Sequence, residues 1–316
     1  MNFAESIEWL GQVNSGACFP KREEEIDKSL PYFNVTKDDR GRYQMSLYNY
    51  EFHDNAPRMQ YVAQYLLNNI FPYVRANLSG FYNIQLHDTY TYLEDNKDYK
   101  NVLCFGKFKH EKGPVQLPDC YFIGDWGGKY RNIIDNMEWT DKKSKIIFAG
   151  TTTGSRDPKK NVRINTCIWA LDKPICDCYI TNIAQIEPRR IFNDVPEFKY
   201  IYRPPIPMTE QIKYRYQLVI DGNTCRWNPD VYFTNTLALH MPTRDMLWYY
   251  PLLREKEHYI DVTTENMESQ FNYYESNHND TKRIIANANN VAKQLFTMHA
   301  CQKYTIALFE NIASNK

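Results

Sequence analysis

Short apolar runs that read as strands alternate, along most of the chain, with stretches whose apolar residues recur at the spacing of one helix face. In the first half this pattern predicts a strand over Tyr43–Tyr50, an amphipathic helix over Arg58–Leu78, and strands over Phe81–Leu86 and Val102–Phe105. A polar loop, His110–Pro118, is expected next. In the second half the expected strands are Lys145–Phe148, Tyr179–Ile183, Tyr214–Ile220 and His258–Val262, with a helix over Val162–Leu171. Met241–Leu253 reads as a short helix broken by Pro242 and Pro251, and Thr281–Phe296 and Cys301–Ile312 as closing helices. Strands alternating with helices predict an α/β protein. The polar stretch Glu138–Lys143, just ahead of a new strand, marks a domain boundary near residues 138–144.

Composition narrows this picture. A chain of 316 residues can form two ordinary domains, and at 43% hydrophobic and 24% charged it is globular in class. Its 25 tyrosines suit a surface that grips a ring-shaped ligand, and equally suit half-buried packing. Lys plus Arg and Asp plus Glu balance at 38 each, so the basic excess of a nucleic-acid binder is missing and no nucleic-acid partner is expected. No apolar run approaches the roughly 20 residues that span a bilayer. Met1–Leu10 lacks the apolar centre of a secretory leader, so the expected location is the cytoplasm. The eight cysteines are scattered, which predicts reduced thiols without structural disulfides. Cys176 and Cys178 have no matching pair at metal-ligand spacing and read as thiols on a strand.

Three segments carry candidate chemistry. In Phe148–Arg156 an apolar strand empties into Gly150-Thr151-Thr152-Thr153-Gly154 and then a helix. Such a loop places backbone N–H groups, hydroxyls and a helix N-terminus around a diphosphate, and it also serves as a plain strand-to-helix turn. It matches neither the P-loop nor the dinucleotide fingerprint. In Lys213–Trp227 a strand runs into Asp221-Gly222-Asn223, followed by Arg226, which is either a bidentate diphosphate ligand or a solvated surface charge. In Phe81–Asp88 a strand ends in a carboxylate, which in an α/β sheet either points into the ligand crevice or caps the next turn.

Together these segments resemble glycosyltransferase family 90, the group that contains the protein O-glucosyltransferases and fungal capsule-associated transferases. The likeness runs from about Tyr43 to His299. Gly150–Gly154 looks like the family's Gly and Ser/Thr run, and Lys213–Arg226 is similar to its Lys-Tyr-Lys-Tyr strand, Asp-Gly-Asn turn and Arg. Trp248-Tyr249-Tyr250-Pro251 and His258-Tyr259-Ile260-Asp261-Val262 resemble two further family segments. Asp88 falls where the family's catalytic Asp closes a strand, and Val102–Lys107 resembles the next conserved strand. The chain departs from the family at Ala149, where an Arg is usual, in lacking a Pro after Asp88, and in a degraded motif at Cys225-Arg226-Trp227-Asn228.

The resemblance implies a GT-B architecture: two Rossmann-like domains facing across a cleft, with C-terminal helices crossing back. Its parts would be an acceptor-side domain over residues 1–140, a donor domain over 141–280 and the returning helices over 281–316. It implies inverting transfer of xylose or glucose from a UDP-sugar to a hydroxyl of a glycan or protein, with Asp88 as base. Gly150, Thr151, Thr152, Thr153, Gly154, Arg156, Asn223 and Arg226 would hold the diphosphate. Lys107 would contact acceptor or phosphate, or be an ordinary surface lysine. No Asp-x-Asp occurs, so neither a metal nor any other cofactor is expected. The competing readings are a catalytically inactive glycan-binding or scaffolding protein of the same fold, and a nucleotide-sugar-modifying enzyme, for which a cofactor loop is missing.

Overall fold

The computed structural model describes residues 5–7, 21–51, 55–86, 102–109, 114–119, 123, 133–223 and 230–314. The chain forms two compact units. The first comprises Met1–Gly128, Arg244–Leu252 and Gln294–Lys316, and the second comprises Lys129–Thr243 and Leu253–Lys293.

The first unit holds a mixed sheet of β1 (Tyr32–Lys37), β2 (Tyr43–Tyr48), β3 (Gly80–Ile84), β4 (Val102–Cys104) and β6 (Val115–Gln116), in the order β2-β1-β3-β4-β6. β1 runs antiparallel to β2 and β3, whereas β3, β4 and β6 are parallel. In β1, Phe33 and Val35 are fully buried between more exposed neighbours, the two-residue period of a strand with one face on a core. Phe33 stacks on Tyr82 of β3 across the pair. Helix α1 (Ala56–Tyr65) continues through a wide turn at Leu66–Ile70 and a tight one at Phe71–Tyr73. The helix expected to reach Leu78 stops early because Pro72 lacks the N–H that the next turn needs.

Two expectations for this unit are corrected. The loop expected over 110–118 contains β6, whose Val115 is buried with Leu117 just beyond it. The helix expected over 241–253 is instead strand β11 (Asp245–Leu247), paired antiparallel with β5 (Gly106–Phe108), and then a tight turn at Tyr250–Leu252. Between its two prolines that segment is too short to nucleate a helix, and β5 supplies its backbone partners. The last helix, α6 (Met298–Ser314), buries Cys301, Tyr304, Thr305, Leu308, Phe309 and Ile312, one face at helical spacing. Phe309 packs on Phe71 and Tyr82, and the Tyr304 hydroxyl donates to the Gln116 carbonyl at 2.7 Å.

The second unit is built on an all-parallel sheet of β7 (Lys143–Thr151), β8 (Cys176–Asn182), β9 (Tyr214–Val219), β10 (Leu237–His240) and β12 (Ile260–Asp261). Its order is β12-β10-β9-β7-β8. Successive strands therefore build outward from β7 to β8 on one side and from β9 to β12 on the other, so the winding reverses between β7 and β9. Alternate residues of β7 face opposite ways. Ile146 and Phe148 join one core with Ile164 and Cys167 of helix α2 (Val162–Trp169), Ile191 of α3 (Pro188–Asp194), Phe271 of α4 (Met267–Ser276) and Ile284 of α5 (His278–Leu295). Ile147 faces the other way and packs with Tyr179 and Tyr214. β1, β10, α3 and α4 were not anticipated from the sequence. Among the described residues no helix is long and apolar enough to cross a membrane.

Candidate functional site

In an open parallel sheet the ligand crevice lies beyond the carboxyl ends of the strands, where the winding reverses. Here that point is formed by the loop after β7 and the turn Ile220–Asn223 after β9. The two are tied together. The Gly154 N–H donates to Asn223 Oδ1 at 3.1 Å, and a Cβ on Gly154 would stand 3.2 Å from the Gly222 carbonyl oxygen. Gly154 has φ +119°, a conformation open to glycine and strained for any L side chain. Thr151, Thr153, Gly154 and Asn223, four of the residues that the family resemblance assigns to the diphosphate, thus lie together at this point.

Two members of the expected set have other work. The Thr152 side chain points away from the crevice and is fully buried; its hydroxyl donates to the Ala184 carbonyl and accepts from the Ala184 N–H, both at 2.8 Å. Its hydroxyl is thus committed to fastening the loop just beyond the end of β8. At Gly150 a Cβ would lie 2.8 Å from Cζ of Phe148, so this glycine lets the Phe148 ring fold back over its own strand. Arg156 is exposed in the loop. Arg226 and Asp88 lie outside the described residues. Lys107, in the first unit, is buried on β5 and donates to the Pro114 carbonyl at 3.2 Å, which corrects its reading as a surface lysine.

Two residues that sequence reasoning passed over hold the loops in place. Asn161 is the N-cap of α2: its Oδ1 accepts from the Ile164 N–H, and its Nδ2 donates to the carbonyls of Thr152 at 2.9 Å and Ser155 at 3.0 Å. An Asn directly before an apolar periodic stretch was the available signal. Arg163, the second residue of α2, reaches back over both loops. Its Nε donates to the Asp221 carbonyl and its Nη2 to the Ile220 carbonyl, each at 2.9 Å. Its Nη1 reaches the Thr151 carbonyl at 3.2 Å, Thr153 Oγ1 at 2.6 Å and Thr151 Oγ1 at 3.4 Å. Nothing local distinguishes this arginine from one on a helix surface.

Gly222 makes that arrangement possible. A Cβ there would fall 2.6 Å from Thr153 Oγ1 and 3.0 Å from Arg163 Nη2. Gly222→Ala is expected to cost about 1–3 kcal/mol of unfolding free energy, the usual size of an overpacking penalty. Gly222→Ala combined with Thr153→Ala should recover part of that loss in denaturant titration. An unchanged stability in the single variant would show that the loops are looser than this contact requires.

The arrangement presents half-buried hydroxyls, a fixed guanidinium and a helix start at the carboxyl end of a parallel sheet, a combination suited to an anionic ligand. Among the described residues no group of three or more His, Cys, Asp or Glu is placed to hold a metal ion.

No curated protein matches the chain significantly. Among solved structures it is similar to TarM, with 5% identity and a TM-score of 0.43 over 63% of this chain and 40% of that one. It is also similar to the C-terminal domain of LpcC, a glycosyl transferase group 1 family protein from Francisella tularensis, with 9% identity and a TM-score of 0.33 over 49% of this chain and 89% of that one. The chain thus spans 40% of the length of TarM, and likenesses at these scores carry no functional argument. The sequence profile of glycosyl transferase family 90 matches residues 122–315, more than half of the chain, and the protein belongs to that family.

Proposed function

We propose that the protein transfers a sugar, xylose or glucose, from a UDP-sugar to a hydroxyl of a glycan or protein acceptor, with inversion and without a metal. The observation that carries this reading is the reversal point of the parallel sheet, lined by Thr151, Thr153, Gly154, Asn223 and the Arg163 guanidinium, in a chain of family 90. Donor N–H groups and a cation there suit the charge that develops on a departing diphosphate. Arg156 and Arg226 are the further cations that the family resemblance assigns to it. The acceptor oxygen forms a bond to the anomeric carbon as the bond from that carbon to the diphosphate oxygen breaks. The acceptor proton passes to the Asp88 carboxylate, and the bonding electron pair leaves with the nucleoside diphosphate. The absence of Asp-x-Asp from the sequence favours a site that relies on these groups.

A thermal-shift screen against UDP, GDP, CMP and common UDP-sugars, with and without a chelator, tests this reading. A ligand that binds only the folded protein adds about 2.7 kcal/mol of stability at a hundred times its dissociation constant. The expected result is a rise in melting temperature with UDP that survives chelation, followed by turnover of a UDP-sugar. If no nucleotide raises it, the donor reading falls and the inactive glycan-binding alternative, favoured by the missing Pro after Asp88 and by the altered arginine motif at Cys225-Arg226-Trp227-Asn228, takes its place.

A further inference from the structure

The hydroxyls of Thr151 and Thr153 lie 3.2 Å apart, and both are within reach of the same nitrogen, Arg163 Nη1. A guanidinium is a donor only, so both threonine oxygens must act as acceptors toward it. Their own two protons then have to go elsewhere. One bridges the pair, since only one of two facing hydroxyls can donate across the 3.2 Å gap. The other has no acceptor among the described residues, and both side chains are half-buried rather than sealed off. The guanidinium is held in place by its other nitrogens, Nε donating to the Asp221 carbonyl and Nη2 to the Ile220 carbonyl, while the two N–H groups of Nη1 are shared among the Thr151 carbonyl and the two threonine hydroxyls.

From this geometry we infer that Arg163 is a positioning residue that turns the Thr151–Thr153 hydroxyl pair into a directed hydrogen-bond donor for a diphosphate oxygen. This inference rests on the donor site proposed above and names how that site recognises charge. Accepting a hydrogen bond from a cation polarises a hydroxyl and strengthens the bond it donates in turn. The arginine also spans the ends of β7 and β9, so the donor is aimed from the reversal point. Lysine cannot reproduce this: an ammonium is a point charge without the planar fork that meets both loops at once.

The test measures dissociation constants of UDP and uridine by calorimetry on the full chain, for wild type, Thr153→Ser, Thr153→Ala and Arg163→Lys. Thr153→Ala should weaken UDP roughly ten- to hundredfold, as for a lost hydrogen bond to a charged group, while uridine affinity holds. Thr153→Ser keeps the hydroxyl and should bind UDP as wild type does. Arg163→Lys should also lower UDP affinity selectively, and combining it with Thr153→Ala should cost no more than the larger single effect, because both act through one donor. Equal UDP affinity in Thr153→Ala and wild type would overturn the inference, as would parallel losses of UDP and uridine in both Thr153→Ala and Arg163→Lys. Should Arg163→Lys fail to fold, the Thr153 pair decides alone. A wild-type protein that binds UDP while Thr153→Ala does too leaves the donor reading standing without this inference. A wild-type protein that binds no nucleoside diphosphate overturns both.

Discussion

Asp135→Ala is expected to lower the unfolding free energy by about 3–5 kcal/mol, the usual cost of removing one partner from a buried ion pair. Lys142 and Asp135 are both sealed from solvent, with side-chain exposures of 0% and 1%. The Lys142 ammonium donates to Asp135 Oδ2, the Ile212 carbonyl and Thr236 Oγ1, and Asp135 Oδ2 also accepts from the Asn235 N–H at 2.8 Å. Lys142, Ile212 and Thr236 stand just ahead of β7, β9 and β10, so this one cation gathers the starts of three parallel strands. The alanine variant leaves it with neutral acceptors only. Burial already holds the Lys142 pKa below its ordinary value, opposed by the Asp135 carboxylate. Without that carboxylate the folded pKa falls further, while the unfolded chain still binds the proton. The variant's stability should therefore rise with pH between its lowered folded pKa and the ordinary lysine value near 10.5. Urea titrations across that range measure it, and adding Lys142→Met should restore most of the loss at neutral pH. Because the network sits at the amino ends of the strands, UDP affinity of the folded protein should not change. A neutral-pH loss under about 1 kcal/mol would show the pair to be no more than a surface-like contact.

Asp88→Asn is expected to reduce sugar transfer by about 10²–10⁴-fold with UDP affinity and stability as in wild type. The amide keeps the size of the carboxyl group and loses its ability to take the acceptor proton. The expectation rests on the family resemblance and on one feature of the fold: β3 runs parallel to β4, so the chain leaves Ile84 at the carboxyl edge of the sheet, where ligand-facing groups of parallel sheets are found. Steady-state kinetics with the donor identified by thermal shift would report the change in kcat. Unaltered turnover would remove Asp88 from the mechanism, and lost UDP affinity would make it a binding residue.

Continuous apolar runs made several strands that lie inside a sheet legible, as at Ile146–Phe148 and Leu218–Ile220. Strand β1 escaped because its buried Phe33 and Val35 alternate with Asn34 and Thr36; β10, although its Leu237-Ala238-Leu239 run is apolar and buried, was also passed over. β1 is held by a hairpin with β2 and by the more distant β3, and β10 by β9 and β12. The glycine and threonine loop was visible as a ligand candidate from its place between an apolar strand and a helix, yet that reading treats its three threonines as equals. Pairing with the end of β8 turns Thr152 inward to Ala184 and leaves Thr151 and Thr153 facing Arg163.

By itself the sequence determined the α/β class and the family, and it singled out one glycine and threonine loop as a ligand candidate. Those follow from local periodicity and from residue identity, which survive without any knowledge of what packs where. Only the tertiary structure decided that the winding reverses between β7 and β9, that Arg163 clasps both loops, and that Lys142 is buried with Asp135. Strand order and side-chain direction depend on backbone pairing between distant segments, and an arginine on a helix acquires its partners only when that pairing brings two strand ends to its side.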